Sequence, residues 1–187
     1  MAYQRAHWHE GLATVPGRRL VFVDESGANT QLLRWRGRAP KGQRLVASIP
    51  QGHYQTSTLI AALRLGGPCA PWVFEGAMDG EMFLAWIQQG LAPALHRGDV
   101  VIMDNLATHK VWGVQPSLAA VGARLLYLPP YSPDLNPIEN LWSKVKQSLR
   151  RQAPRTEEQL LQAAKLAFES ISAADCHGFF LNAKYAT

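Results

Sequence analysis

Two stretches, Leu20-Val21-Phe22-Val23 and Val100-Val101-Ile102-Met103, are unbroken apolar runs, and an aspartate follows each of them, Asp24 and Asp104. Four residues are too few for a helix, and a strand with one wet face would alternate polar with apolar side chains. The runs therefore predict strands buried on both faces, which demands a sheet with helices packed on each side. The 187 residues suffice for one such domain with a substantial core. Asp24 and Asp104 are expected to close their strands, with Glu-Ser-Gly turning the chain after the first.

Around these two strands the remaining pattern sorts by turn and breaker signals. Residues 1–18 read as a polar lead-in or linker, with Pro16-Gly17 marking a turn, and 19–187 as the domain proper. Gln31 to Ile49 reads as a hairpin, LLRWR and RLVASI about a GRAPKG turn. Thr56 to Leu65 fits a strand or a helix equally, and Trp72-Val73-Phe74 fits a strand. Asp79 precedes an amphipathic helix from Glu81 to about Leu95, Ser117 to Gly122 reads as a short helix stopped by glycine, and Arg124 to Leu128 as a strand. Strand, helix, strand from Val100 onward implies a parallel crossover. Beyond a proline break at Pro154, Thr156-Glu-Glu-Gln159 opens one more helix and Ser172 another.

The third conspicuous stretch is Tyr127 to Arg151, YLPPYSPDLNPIENLWSKVKQSLRR, a short strand, a proline-rich turn and a basic helix. Asn136 is placed to cap the helix, Pro137 suits its first position, and Ile138, Leu141, Trp142, Val145 and Leu149 form a buried stripe. Glu139 then lies in the first turn, where two readings stand. It can reach back to the Asn136 N–H as half of a capping box, or it can face a site.

Net charge is +5, and it is concentrated. Arg34, Arg36, Arg38, Lys41 and Arg44 form one basic cluster, and Lys144, Lys146, Arg150, Arg151 and Arg155 a second. Such clusters suit a phosphate backbone, although a solvated hairpin and a solvated helix face would look the same. Cys69 and Cys176 form no C-x-x-C pair, and the His7/His9 pair has no second ligand pair at zinc spacing. No 18-residue apolar run and no signal-peptide core occur, so neither a membrane span nor export is expected.

Asp24, Asp104 and Glu139 thus stand at strand ends and a helix start, where sites form in α/β sheets. Gathered carboxylates repel one another unless cations neutralise them, and all-oxygen donors favour Mg²⁺. Two such ions can align a nucleophile with a phosphodiester. Each aspartate could instead be an ordinary turn residue, Asp104 as an Asx turn beside Asn105. Glu25, next to Asp24, should point to the other face and is left out of the site. Asp134, in SPDLNP, is a rival for the third acid.

These segments resemble the DDE transposases of the mariner-like superfamily, specifically the bacterial insertion-sequence branch. The likeness is carried by LVFVDESGANT, VVIMDNLATHK and LPPYSPDLNPIENLWSKVK, with positions 105 to 138 separating the second Asp from the Glu, and it extends over nearly the whole chain from Leu20. It implies a ribonuclease H-like fold, a mixed five-stranded sheet whose first three strands are antiparallel, with helices on both faces. It implies Asp24, Asp104 and Glu139 as catalytic ligands of two Mg²⁺ ions, with Mn²⁺ as substitute. Water would cleave DNA at the element's end, and the freed 3′-hydroxyl would attack target DNA, in a cut-and-paste reaction at TA-containing targets.

By the same resemblance Asn105 and His109 orient the Asp104 loop or approach DNA, against a merely packed histidine at 109; the basic hairpin touches DNA or a second subunit, with Trp35 itself expected to pack; and Lys144 and Lys146 hold phosphate near the metals or face water. Full-length relatives carry an N-terminal helix-turn-helix region that this chain is expected to lack, so a separate helix-turn-helix polypeptide is an expected partner. DNA, a homodimer assembled on it and a bacterial cytoplasmic location complete the expectations. Two other functions compete: a non-catalytic DNA-binding remnant with the same fold, and a phosphotransfer enzyme of another α/β class. Against the second, a haloacid-type phosphatase needs an acid where Ser26 stands.

Overall fold

The structure is a computed structural model that describes residues 2–32, 37–46 and 55–185. Its frame is a five-stranded sheet of β1 (Leu20–Asn29), β2 (Thr56–Arg64), β3 (Gly67–Glu75), β4 (Val100–Met103) and β5 (Arg124–Tyr127), in the order β3-β2-β1-β4-β5. The β1–β2 and β2–β3 pairs are antiparallel, whereas β1–β4 and β4–β5 are parallel. Seven helices accompany it among the described residues: α1 (Ala2–Ala6), α2 (Trp8–Leu12), α3 (Gly80–Trp86), α4 (Val114–Ala120), α5 (Ile138–Gln152), α6 (Glu157–Glu169) and α7 (Ala173–Asn182).

The two apolar runs form the centre of the sheet, and strand alternation divides their side chains between two cores. Leu20, Phe22, Val100 and Ile102 face α5, α6 and α7, while Val21, Val23, Val101 and Met103 face α3 and α4. That division is why neither run contains a polar residue. The α5 stripe of Ile138, Leu141, Trp142, Val145 and Leu149 is buried as its spacing predicts. Truncating a large apolar residue in such a stripe costs about 2–5 kcal/mol.

Several local expectations are corrected. Strand β1 does not stop at Asp24; it continues through Glu-Ser-Gly-Ala-Asn because β2 supplies partners as far as Asn29↔Thr56. Its β4 partner ends earlier, at Val23↔Met103, so from Asp24 onward that edge of β1 is released from the ladder. The ambiguous segment at Thr56 is a strand, and Ala119 and Leu118 carbonyls receive the N–H groups of Gly122 and Ala123 as α4 ends at a left-handed glycine. The helix after Asp79 is regular only to Trp86 and continues as a π turn (Ile87–Leu91) and a 3₁₀ turn (Ala92–Ala94). Of the expected hairpin, 33–36 and 47–49 lie outside the described residues, and 37–46 contain no strand.

Residues 1–18 were expected as a linker, yet α1 and α2 pack on the domain. Leu12 enters the core, the Trp8 indole N–H donates to the Tyr185 hydroxyl at 2.7 Å, and that hydroxyl donates to the Leu135 carbonyl at 2.7 Å. Both ends of the described chain therefore brace the turn that precedes α5.

Candidate active site

Asp24 lies within β1 at the point where its β4 edge becomes free, and alternation sends its side chain to the α5 face. Asp104 is the first residue past β4, and Glu139 is in the first turn of α5. All three line one pocket of about 380 Å³, walled by Asn105, Leu106, Asn136 and residues 128–133. Burial, and after it the charge of Glu139, pushes the Asp24 carboxyl up to about 7.

Each strand acid is held by hydrogen bonds to its carboxylate, that of Asp24 accepting from the Glu25 backbone N–H as well as from a side chain. Oδ2 of Asp24 accepts from the indole N–H of Trp142 at 3.1 Å. Oδ1 of Asp104 accepts from the Leu106 N–H at 3.2 Å and lies 2.6 Å from His109 Nδ1. The other ring nitrogen of His109, Nε2, lies 2.9 Å from Glu25 Oε1. Burial alone would lower the pKa of His109, but the bonds to Asp104 and Glu25 outweigh it and push the value up to about 10, so the ring donates from both nitrogens at neutral pH. Its ring lies against Phe83, and the Tyr127 hydroxyl donates to its carbonyl at 3.0 Å.

Glu25 does point away from Asp24, as expected, but His109 ties it to Asp104 across the end of the sheet. Sequence reasoning missed it because the link depends on the 3₁₀ turn Thr108–Lys110, which folds His109 back under the Asp104 loop. His109 is fully buried, packed against Phe83 and bonded to the Asp104 loop, and offers DNA no surface. Asn105 is exposed on the pocket rim.

Asn136 does not cap α5. It closes a preceding 3₁₀ turn (Pro133–Leu135), Pro137 takes the cap position, and no side chain caps the helix. Glu139 is exposed and free of the expected capping box. The rival acid, Asp134, forms a two-pronged bond to Arg5 at 2.9 and 3.0 Å and does not line the pocket.

Of the expected DNA contacts, Arg38, Lys41 and Arg44 are exposed, whereas Arg34 and Arg36, with Trp35, lie outside the described residues. Lys146 is half-buried on α5, and Lys144 is paired with Asp175 of α7.

Three of the side chains lining the pocket are carboxylates, which offer oxygen donors; Oδ1 of Asn136, another lining residue, is buried without a hydrogen-bond partner. This set fits Mg²⁺ better than a softer ion. The acids share the pocket without converging; among the described residues no three His, Cys, Asp or Glu side chains are grouped to hold one ion.

A mixed sheet of this order, antiparallel through its first three strands and flanked by helices on both faces, defines a ribonuclease H-like fold. The chain belongs to the DDE superfamily endonucleases, whose family model matches residues 19–161. No curated protein sequence matches it. Among solved structures it is similar to a pre-cleavage Mos1 transpososome (TM-score 0.73, 14% identity, 98% of this chain and 61% of that one) and to the Mos1 transposase paired-end complex with left transposon end (0.72, 15%, 97% and 60%). It is also similar to the Mos1 transposase catalytic domain with Raltegravir and Mn (0.70, 15%, 98% and 92%). The chain spans about three-fifths of the two Mos1 chains in the DNA complexes. No described helix is long and apolar enough to cross a membrane.

Proposed function

We propose that this chain is the catalytic domain of a DNA transposase that cleaves a DNA strand and transfers the resulting 3′-hydroxyl to target DNA. Asp24, Asp104 and Glu139 are its metal ligands, for two Mg²⁺ ions or Mn²⁺ in their place. The observation that carries this reading is the shared pocket: three carboxylates, from β1, the end of β4 and the first turn of α5, line it, and burial followed by the charge of Glu139 raises the pKa of the most buried of them, Asp24. The Arg5 bond to Asp134 supports Glu139 as the third acid.

Bound ions supply positive charge at the attacking and leaving oxygens of an in-line displacement at phosphorus. The chain's own residues prepare the site. His109 and the Leu106 N–H fix Asp104 through Oδ1, the turn of residues 128–133 walls the pocket, and Glu139 stands exposed at its mouth. In the first reaction water displaces the 3′-oxygen of the cleaved strand, which leaves as a 3′-hydroxyl. In the second, that hydroxyl displaces a 3′-oxygen in the target. Exposed Arg38, Lys41 and Arg44 and half-buried Lys146 supply charge for the DNA backbone.

The reading extends to cut-and-paste movement at TA targets, membership of the bacterial insertion-sequence branch, a bacterial cytoplasmic location and a homodimer on DNA; the resemblance of the three acid motifs supports these. The separation of the acids favours one rival, a DNA-binding remnant without catalysis. A nicking and strand-transfer assay on supercoiled and oligonucleotide DNA with Mg²⁺ or Mn²⁺ tests the choice. Asp24→Asn, Asp104→Asn and Glu139→Gln should each abolish cleavage while circular dichroism stays unchanged. Activity that survives Glu139→Gln, or no metal-dependent cleavage by the parent chain, refutes the assignment.

A further inference from the structure

Two large indoles are buried against the sheet, and they satisfy their N–H groups differently. Trp86 donates to a backbone carbonyl, Ala70 O, at 2.9 Å, as a core tryptophan ordinarily does. Trp142, 3% exposed and edge-on to Phe168, directs its N–H instead to Oδ2 of Asp24 at 3.1 Å. The backbone of Asp24 is fixed by pairing with Ala61 of β2, so what remains to be set is the rotation of its carboxylate. Among the described residues Trp142 is the one side-chain donor that reaches it.

We infer that Trp142 is a positioning residue: its indole N–H, beside the Glu25 backbone N–H that also donates to this carboxylate, sets the rotation of the Asp24 carboxylate toward a cation in the pocket, and so keys Asp24 to the helix that carries Glu139. Glu139 and Trp142 are three residues apart on α5, which places them on neighbouring positions of one helix face. One rigid element thus presents its own carboxylate and aims that of β1. The same division of labour holds at Asp104, where His109 and the Leu106 N–H occupy Oδ1. Groups that fix ligands from behind in this way change metal affinity by about 10–100-fold when removed.

The inference rests on the metal-binding reading above, and the test separates the two. Mn²⁺ binding to the full chain is titrated by electron paramagnetic resonance for the parent, Asp24→Asn and Trp142→Phe, with thermal melts alongside. Trp142→Phe should weaken Mn²⁺ binding roughly tenfold or more. DNA nicking by this variant should recover as Mn²⁺ is raised by the same factor, a response that loss of packing alone would not give. If Trp142→Phe does not fold, benzothienylalanine placed at position 142 alone keeps the ring shape, replaces N–H by sulfur and carries the same expectation. Binding that depends on Asp24 but is unchanged by either replacement overturns this inference only. Absence of Asp24-dependent binding in the parent overturns it together with the metal reading.

Discussion

Replacing Asp24 with Asn should make the metal-free domain more stable while removing its activity. The folded protein raises this carboxyl from 3.8 to about 7, by burial first and then by Glu139, with Asp104 and Glu25 adding to it. The proton is therefore bound more tightly folded than unfolded, so stability falls as pH rises from about 4 through 7, and the full penalty applies above 7. About three pH units correspond to roughly 4 kcal/mol, an upper limit; relaxation of exposed Glu139 and water in the open pocket reduce it to roughly 2 kcal/mol. Asn carries no charge, occupies the same volume and still offers Trp142 an acceptor. For a chain of this size the expected gain in Tm is about 4–8 °C at pH 8 in EDTA, shrinking toward pH 5. Mg²⁺ should raise the Tm of the parent more than that of the variant. Scanning calorimetry at both pH values decides: no gain at pH 8, or an equal gain at pH 5, refutes the account of a strained acid.

Two further expectations concern groups behind the pocket. Asp99, 1% exposed at the opposite end of the sheet, meets Arg64 at 2.6 Å and Arg19 at 3.5 Å; burial alone would raise its pKa, but these bonds and the His96 N–H hold it below the usual carboxylate range. Its contribution is present above about pH 4 and is lost as pH falls through the folded value, and Asp99→Asn, which strands Arg64, should cost roughly 3–5 kcal/mol in urea unfolding at pH 7. His109→Ala leaves Asp104 Oδ1 with only the Leu106 N–H, and should slow Mn²⁺-dependent nicking about 10–100-fold while hydrogen exchange rises at residues 104–110; unchanged nicking would mean that the Asp104 loop holds itself.

What the sequence revealed and what it hid divide along the range of the interactions. The apolar runs at Leu20 and Val100 announce central strands because burial on both faces is written into consecutive residues. The continuation of β1 past Asp24 was not legible, since Glu-Ser-Gly-Ala-Asn is extended by pairing with β2, a segment that begins at Thr56. Helices α1 and α2 were hidden for a similar reason: with few apolar residues, they are held by Trp8 against Tyr185 and by Leu12 in the core. At Asn136 the cap residue type was right for a helix start, but a 3₁₀ turn at Pro133 used that position first. The three acids were legible as motifs. The hands that hold them were not: Trp142 read only as part of the apolar stripe, although its spacing of three from Glu139 was a signal, and the link from Glu25 through His109 to Asp104 runs across the end of the sheet.

The convergence of both chain ends on the turn before α5 has a mechanical consequence. Arg5 grips Tyr131, Ser132 and Asp134, while Trp8 and Tyr185 hold Leu135 in series, so the loop that delivers Glu139 is anchored to residues near either terminus. A load applied to residues 2–12, or a tag fused beside Tyr185, acts on that loop through a few short bonds. Handles for labelling or immobilisation are therefore better placed away from residues 2–12 and Tyr185.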